Sequence, residues 1–440
     1  MRIFWFFIGL SFFLFKQENI TSQGYRLRFD IKGAAGLEAQ LAYYMGDNKY
    51  IFTKGNFDNK GRLTLEGQDK IPAGIYLLIV GKSGYFDILI RNEQFFSISS
   101  DTSDFIRKMK VKDSKENELF FSYQLKVLEY KSLLSEYEKL LKNKDLDSVM
   151  MQDKKTKKLS VEKELNQFVE AIKTKNKGTY LSKILSAMDS PGFEQFPFSD
   201  SELLRTPFYH NYIRLFIKKN IEKNSSYIIQ ETDNFLDSLK NSEQCYRYTA
   251  GYLLNFYNNF YRNGINAIFV HIADNYFLPD KANWLVINEL EQIKKRRDFL
   301  AQGLPGNNAQ DLILESNTGE YLSLLQVNAK TTFLYFWSTG CGHCTKATQI
   351  LNENYKALKN KNIEIYAVNV EKNKEDWLKK IEENKLPWIN CIDVNEDSDY
   401  RDKYYVYGSP LLIIIDSEKK IIAILNGEIE IENAVKQILK

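Results

Sequence analysis

Apolar and polar residues alternate along residues 25–100 of the chain. Typical runs are Leu27-Phe29-Ile31 and Phe86-Ile88-Ile90, and turn-forming clusters such as residues 58–61 (DNKG) separate them. A period of two places successive side chains on opposite faces of a strand. The pattern predicts about seven short strands in an N-terminal antiparallel β domain, a small sandwich or barrel over residues 25–112. It carries no catalytic constellation, which favours a structural or docking module.

From residue 115 the apolar residues recur every three or four positions, which indicates helices. The pattern continues to about residue 300 and predicts a central all-α domain over residues 115–300. The two histidines in this region, His210 and His271, are interpreted as ordinary core or surface residues, and no metal site is expected. Seven apolar residues form a stripe along one long helix, more typical of a core than of a cofactor site: Leu119, Tyr123, Val127, Tyr130, Leu134, Tyr137 and Leu141.

Residues 302–310 (QGLPGNNAQ) are rich in Gly, Pro and Asn and predict a linker. Beyond them strand and helix patterns alternate, with a strand at 333–337, a helix at 344–358 and a strand at 363–370. A later strand pair and a final helix complete the region. This order predicts a C-terminal α/β domain with a central sheet over residues 303–440.

The N-terminus has the plan of a secretory signal. Met1-Arg2 precedes thirteen residues without formal charge (IFWFFIGLSFFLF), and polar residues follow. Thirteen helical residues rise only about 20 Å, less than the roughly 30 Å of a bilayer core. Residues 1–24 are therefore predicted to be a cleaved signal peptide, with an uncleaved anchor or a buried helix as alternatives. No cysteine lies near the expected cut, which excludes a lipid-modified N-terminal cysteine.

The net charge and the number of cysteines exclude some classes of function. The 440 residues carry 60 Lys and Arg against 57 Asp and Glu, a net charge of +3. This balance is too even for a ligand of phosphate backbones, so no nucleic-acid partner is expected. Four cysteines are too few to act as structural staples in a chain of this length. The one close pair, Cys341 and Cys344, is therefore predicted to be chemical rather than structural.

That pair stands where the strand at 333–337 gives way to a helix. A cysteine at a helix start faces unpaired N–H groups, whose partial positive charge stabilises a thiolate, as does a protonated His343. Cys341 is thus the expected nucleophile, and Cys344, one turn inside the helix, is suited to release the substrate from a mixed disulfide. The expected redox group is the Cys341–Cys344 disulfide, without a cofactor. A zinc knuckle, which needs two more ligands, and an inert disulfide remain as alternatives.

The segment FWSTGCGHC (residues 336–344), together with Gly408-Ser409-Pro410 before an apolar strand, resembles the thioredoxin superfamily. It is more closely similar to TlpA/ResA-type envelope thiol-disulfide oxidoreductases. The resemblance covers residues 303–440, and the upstream segments are similar to accessory modules of some Gram-negative envelope proteins. It implies that Pro410 follows a cis peptide bond beside the sulfurs and shapes substrate access, with the Ser409 backbone available to a substrate strand.

The chain departs from the family pattern in three places. Tyr335 stands where many thioredoxins have a buried acid, Ala347 where ResA-like proteins often have Glu, and Gly340 where Trp usually precedes the first cysteine. The proton acceptor for Cys344 is therefore open, with Glu371 as a candidate. The Gly-His dipeptide matches protein disulfide isomerase, whose potential of about −180 mV lies above the −270 mV or so of thioredoxin.

The sequence thus predicts an exported, periplasmic thiol-disulfide oxidoreductase that reduces or isomerises disulfides of envelope proteins. Its partners would be disulfide-containing or thiol proteins, and a membrane or periplasmic redox protein would recharge it. Peroxide reduction on the same fold is less favoured, since it uses a single peroxidatic cysteine. The alternative from another class is an envelope binding or scaffold protein with an accessory redox domain. Substrate, direction of electron flow and oligomeric state have no signal in the sequence.

Overall fold

The computed structural model describes residues 24–46, 48–142, 148–260, 262–278 and 281–440. The expected signal peptide therefore lies, except for Gly24, outside the described residues. Within the described ranges no helix is both long and apolar enough to cross a bilayer. The chain forms two compact units: the first contains residues 24–222 and Asp237–Arg247, and the second contains Lys223–Leu236 and Tyr248–Lys440.

The first unit begins with a β-sandwich of two four-stranded sheets, ordered β4-β1-β7-β8 and β3-β2-β5-β6. Alternate residues of the first strand are buried, and inward side chains of both sheets share one core that includes Leu27, Leu41 and Ile88. The strands are β1 (Tyr25–Lys32), β2 (Glu38–Met45), β3 (Asn48–Asn56), β4 (Arg62–Gly67), β5 (Gly74–Val80), β6 (Gly84–Ile90), β7 (Phe95–Asp101) and β8 (Lys110–Lys112).

The sandwich differs from the expectation in two details. Strands β3 and β8 lie at sheet edges and have no regularly buried face, so the alternation rule does not find them. The pairing of β1 with β7 is parallel, whereas the other pairings in the two sheets are antiparallel. A parallel neighbour far along the chain leaves no trace in the local pattern.

The helical part of the first unit begins with two long consecutive helices, α1 and α2. Aromatic side chains of the two helices contact each other. The predicted apolar stripe lies on α1 and is half-buried. Within it the Tyr123 ring stacks on Phe168 with centroids 6.3 Å apart, and Tyr130 approaches the same ring at 6.4 Å. The stripe is thus a helix-packing face. These helices are α1 (Lys115–Leu141), α2 (Ser148–Lys175), α3 (Tyr180–Met188) and α4 (Pro207–Asn220).

The second unit contains further helices and a seven-stranded sheet ordered β10-β9-β13-β12-β11-β14-β15. Its helices are α5 (Ser225–Ser238) and α6 (Glu243–Asn259), both only in part, α7 (Ile265–Ile272), α8 (Ile287–Ala301), α9 (Gly342–Asn360), α10 (Lys374–Asn384), α11 (Tyr400–Tyr404) and α12 (Gly427–Leu439). Its strands are β9 (Ile313–Ser316), β10 (Tyr321–Ser323), β11 (Thr331–Trp337), β12 (Ile363–Asn369), β13 (Ile389–Ile392), β14 (Leu411–Asp416) and β15 (Ile421–Asn426).

Strand β11 lies in the interior of this sheet, between β12 and β14, and is covered on both faces. Phe333 and Tyr335 pack in one core with residues of α9 and α12. Leu334 and Phe336 point the other way, into a core that includes Tyr404 of α11. Burial on both faces explains the unbroken apolar run of this strand. The parallel strands β11, β12 and β13 end at one edge of the sheet, and α9 begins there.

The predicted linker at residues 302–310 is fixed to the sheet rather than free. The N–H of Gly306 donates to the carbonyl of Ile421 at 2.8 Å, and the N–H of Ala309 donates to Lys419 at 2.7 Å. The N–H of Ile421 donates back to Asn307 at 2.9 Å. Polar, glycine-rich composition marks irregular backbone, but it does not reveal that this backbone pairs with a sheet edge.

Candidate active site

Cys341 is the residue that caps the start of α9. Its backbone is extended, and its Sγ accepts a hydrogen bond from the N–H of Cys344 at 3.3 Å. The first N–H groups of a helix have no partner within the helix, and they carry partial positive charge. The sulfur of Cys341 is half-buried. The helix start therefore supplies a hydrogen bond and a favourable field to a sulfur that a substrate can reach.

Cys344 is fully buried in the core between the sheet and α9. Burial disfavours the charged thiolate and, together with the neighbouring Cys341 sulfur, raises the pKa of Cys344 to about 12. Hydrogen bonds from the Ser409 side chain and the Ser338 backbone act in the opposite direction and are outweighed. At neutral pH Cys344 is thus a protonated, shielded thiol.

Pro410 lies beside the cysteines because β14 is the antiparallel neighbour of β11, with Leu411 opposite Phe336. The Ser409–Pro410 peptide bond is cis, as the family resemblance implies. The Cys341 thiol donates to the carbonyl of Ser409 at 3.7 Å. Ser409 therefore contacts both sulfurs, through its carbonyl and its side chain, whereas the sequence pointed only to its backbone.

Tyr335 fills the position at which many thioredoxins carry a buried acid. Its hydroxyl lies 2.9 Å from the Thr348 hydroxyl and donates to the carbonyl of Cys344 at 3.3 Å. Burial raises the pKa of Tyr335, so this residue stays protonated and is no base. The site thus has a pair of hydroxyl groups at the start of α9 in place of a carboxylate.

Glu371, the candidate acceptor for the Cys344 proton, lies after β12 and binds the loop before Cys341. Its carboxylate accepts hydrogen bonds from the Ser338 and Thr339 hydroxyls and from the N–H of Gly340 at 3.3 Å. Burial alone would raise the pKa of Glu371, but these hydrogen bonds outweigh it and the pKa is lowered. The carboxylate of Glu371 therefore fixes the position of residues 338–340.

His343 points to a carboxylate on another helix. Its Nδ1 lies 2.9 Å from Oε1 of Glu428 in the first turn of α12, and the imidazole is 71% exposed. The hydrogen bond with His343 is the main reason that the pKa of Glu428 is lowered. Sequence reasoning missed Glu428, Thr348 and the Ser409 hydroxyl. Their contacts with the motif join distant segments or depend on side-chain direction, neither of which a local pattern carries.

The other two histidines have no part in this site. His210 is buried in α4. His271 lies with Nε2 2.7 Å from the carboxylate of Asp233, which also accepts a hydrogen bond from Tyr276 at 2.6 Å. Across the described ranges, no group of three or more His, Cys, Asp and Glu side chains is arranged to hold a metal ion.

Cys245 and Cys391 are fully buried thiols, and burial raises both pKa values, that of Cys391 to about 12. Buried thiols of high pKa are poor nucleophiles. We expect Cys245→Ala and Cys391→Ala to keep the parent's rate of disulfide exchange, at a stability cost on the order of 1 kcal/mol each. Insulin reduction and non-reducing peptide mapping check this, and a Cys245–Cys391 peptide pair in the map would contradict it.

Comparison with known proteins places the chain in one family. Residues 328–421 match the thioredoxin-like family profile. The thiol-disulfide oxidoreductase ResA of Bacillus subtilis (strain 168) is 30% identical over 122 residues, which are 28% of this chain and 67% of ResA.

Solved structures give similar matches. The thioredoxin domain of a thiol-disulfide oxidoreductase from Bacteroides vulgatus is 30% identical over 31% of this chain and 99% of that domain, with a TM-score of 0.29. A thiol:disulfide interchange protein from Bacteroides sp. is 31% identical over 31% of this chain and 91% of its own, also with a TM-score of 0.29.

Proposed function

Because the chain belongs to the thioredoxin superfamily, as a ResA-like thiol-disulfide oxidoreductase, we propose that it reduces or isomerises disulfides of envelope proteins through its Cys341–Cys344 pair. The observation that carries the proposal is the asymmetry of the two sulfurs. Cys341 caps α9 and contacts the Ser409 carbonyl, while Cys344 is buried with its pKa raised to about 12. The Cys341 sulfur is therefore placed to attack the substrate, and the Cys344 sulfur is placed to release it in the second step.

In the reductive direction the Cys341 thiolate attacks one sulfur of a substrate disulfide. That S–S bond breaks, a mixed disulfide forms, and the released substrate sulfur takes up a proton. The Cys344 sulfur then attacks Cys341, the second substrate sulfur leaves with the Cys344 proton, and the Cys341–Cys344 disulfide remains. Two electrons pass to the substrate, so a further dithiol protein in the envelope must return the pair to its reduced form.

Pro410 and Ser409 are the proposed substrate rim. The Ser409 carbonyl lies 3.7 Å from the attacking sulfur, so a peptide strand that pairs with this backbone brings its own disulfide to Cys341. Burial of Cys344 excludes the bulk solvent from the second step. His343 and Glu428 are proposed to set the charge near the site rather than to transfer protons.

Insulin reduction by the full chain tests the proposed activity. With dithiothreitol as the reductant, we expect the chain to accelerate precipitation of the insulin B chain well above the rate with dithiothreitol alone. A rate equal to that background would contradict the proposal and favour a scaffold protein.

Export from the cytoplasm is proposed from residues 1–24, and N-terminal sequencing of the cellular protein checks it: a start near residue 25 supports export, and a retained Met1 contradicts cleavage.

The contact between His343 and Glu428 leads to two redox predictions of opposite sign. His343→Pro removes the imidazole and leaves the Glu428 carboxylate without that partner, so the thiolate form should lose stability. A change of about one pKa unit is about 1.4 kcal/mol, or about 30 mV for this two-electron couple. We expect the midpoint reduction potential to fall by tens of millivolts in His343→Pro. It should rise in Glu428→Gln, because this change removes a carboxylate next to the motif. Redox titration against glutathione measures both potentials. Two midpoints within error of the parent would mean that His343 is only a spacer.

A further inference from the structure

The loop that presents Ser409 and Pro410 is held by a residue outside the α/β region. The side chain of Asn263 lies in the turn before α7. Its Nδ2 donates to the carbonyl of Gly408 at 2.9 Å, and its Oδ1 accepts from the N–H of Tyr407 at 2.9 Å. A single amide thus satisfies one acceptor and one donor of the loop, directly before the residue whose carbonyl contacts Cys341.

A second contact joins the same turn to the same loop. The Tyr405 hydroxyl donates to the carbonyl of Phe260 at 3.4 Å, and the Tyr405 ring packs edge-on against Tyr407 with centroids 4.7 Å apart. The turn that contains Asn263 is itself held by α5, because the Ser225 hydroxyl donates to the carbonyl of Gly264 at 2.8 Å. Gly264 has a φ of +82°, and an added Cβ would meet the Ser225 oxygen at 2.5 Å, so this approach requires glycine.

Tyr407 and Gly408 are exposed. Water can therefore replace Asn263 at these two backbone groups at little cost to global stability. Water does not, however, connect the Tyr407–Ser409 loop to another segment of the chain, as the Asn263 side chain does. The contacts of Asn263 therefore bear on the position of the loop rather than on the folding of the chain.

We propose that Asn263 is a positioning residue for the oxidoreductase site: it holds the Tyr407–Ser409 loop in the place where that loop receives a protein substrate. The inference rests on the proposed function, since it assigns the helical region a share in that same site. Small disulfides and alkylating agents need only the Cys341 sulfur, whereas an extended polypeptide also needs the backbone beside it. Loss of Asn263 should therefore affect protein disulfides selectively.

The test compares the full chain with Asn263→Ala and Asn263→Asp. Asn263→Asp keeps an acceptor for the N–H of Tyr407 but turns an oxygen towards the carbonyl of Gly408. Asn259→Ala is the matched control, because this asparagine bonds to Asn255 within α6. Losing one or two hydrogen bonds at the rim should lower kcat/KM for insulin about three- to tenfold, mainly through KM, in both Asn263 variants. The rate with glutathione disulfide should stay at the parent's value.

Hydrogen exchange supplies a readout that does not depend on activity. We expect the peptide that contains residues 405–409 to exchange faster in Asn263→Ala than in the parent, with Asn259→Ala unchanged. Unchanged exchange, or equal losses with insulin and glutathione disulfide, would overturn the proposal. A parent chain that fails to reduce insulin would contradict the proposed function instead, and the exchange measurement would still decide whether Asn263 holds the loop.

Discussion

Cys341→Ser is expected to reduce the rate of insulin reduction to the background of the chemical reductant. A serine hydroxyl at the start of α9 is not ionised near neutral pH and is no nucleophile towards a disulfide, so the first step stops. Cys344→Ser should also lose multiple turnover, because no second sulfur releases the substrate. It should nevertheless still attack once, since the capping geometry of Cys341 is retained.

The controls for this prediction are Cys245→Ala and Cys391→Ala, which remove the other two thiols without touching the pair. A Cys341→Ser chain that keeps a substantial fraction of the parent's turnover would show that another sulfur performs the attack. Turnover by Cys344→Ser equal to that of the parent would show that substrate release does not need the second sulfur.

We expect Cys341 and Cys344 to react with iodoacetamide at very different rates. With its pKa raised to about 12, Cys344 is almost entirely protonated at pH 8. Only the thiolate reacts, and Cys344 is also shielded from solvent. In the reduced, folded chain we expect Cys341, which is only half-buried, to be alkylated at least about a hundredfold faster than Cys344.

Mass spectrometry of peptides after timed alkylation measures this ratio. The same chain unfolded in guanidinium chloride is the control, where all four cysteines should react at similar rates. Raising the pH from 7 to 9 in the folded chain should leave Cys344 largely unmodified, because both values lie well below its pKa. Comparable alkylation of Cys341 and Cys344 at pH 8 would contradict the burial argument.

The parts of the site that follow from local chemistry could be predicted from the sequence. A cysteine pair at a strand-to-helix junction fixes which sulfur meets the free N–H groups, and the structure places Cys341 at that cap. The cis bond before Pro410 came from the family resemblance and is confirmed. The apolar run at 333–337 predicted a strand, and the structure has β11 there, buried on both faces.

The parts that the sequence did not reveal are contacts between distant segments. Glu428 lies 85 positions after His343, and Asn263 lies 145 positions before Gly408. Neither distance has a periodic or compositional signal. Glu371 shows the same limit: its place after β12 suggested a proton acceptor, which stays a prediction, but the sequence did not reveal the three hydrogen bonds from residues 338–340 to its carboxylate. Such roles depend on side-chain direction, which spacing alone does not give.

The most direct test of the central claim is to trap the mixed disulfide. The reduced full chain carrying Cys344→Ser is mixed with native, disulfide-bonded insulin or a peptide containing one disulfide, and the adducts are mapped by mass spectrometry without reduction. We expect a disulfide between the substrate and Cys341 in this variant, and none at Cys344 in the Cys341→Ser variant. A substrate adduct at Cys344 in Cys341→Ser, with none at Cys341 in Cys344→Ser, would contradict the account.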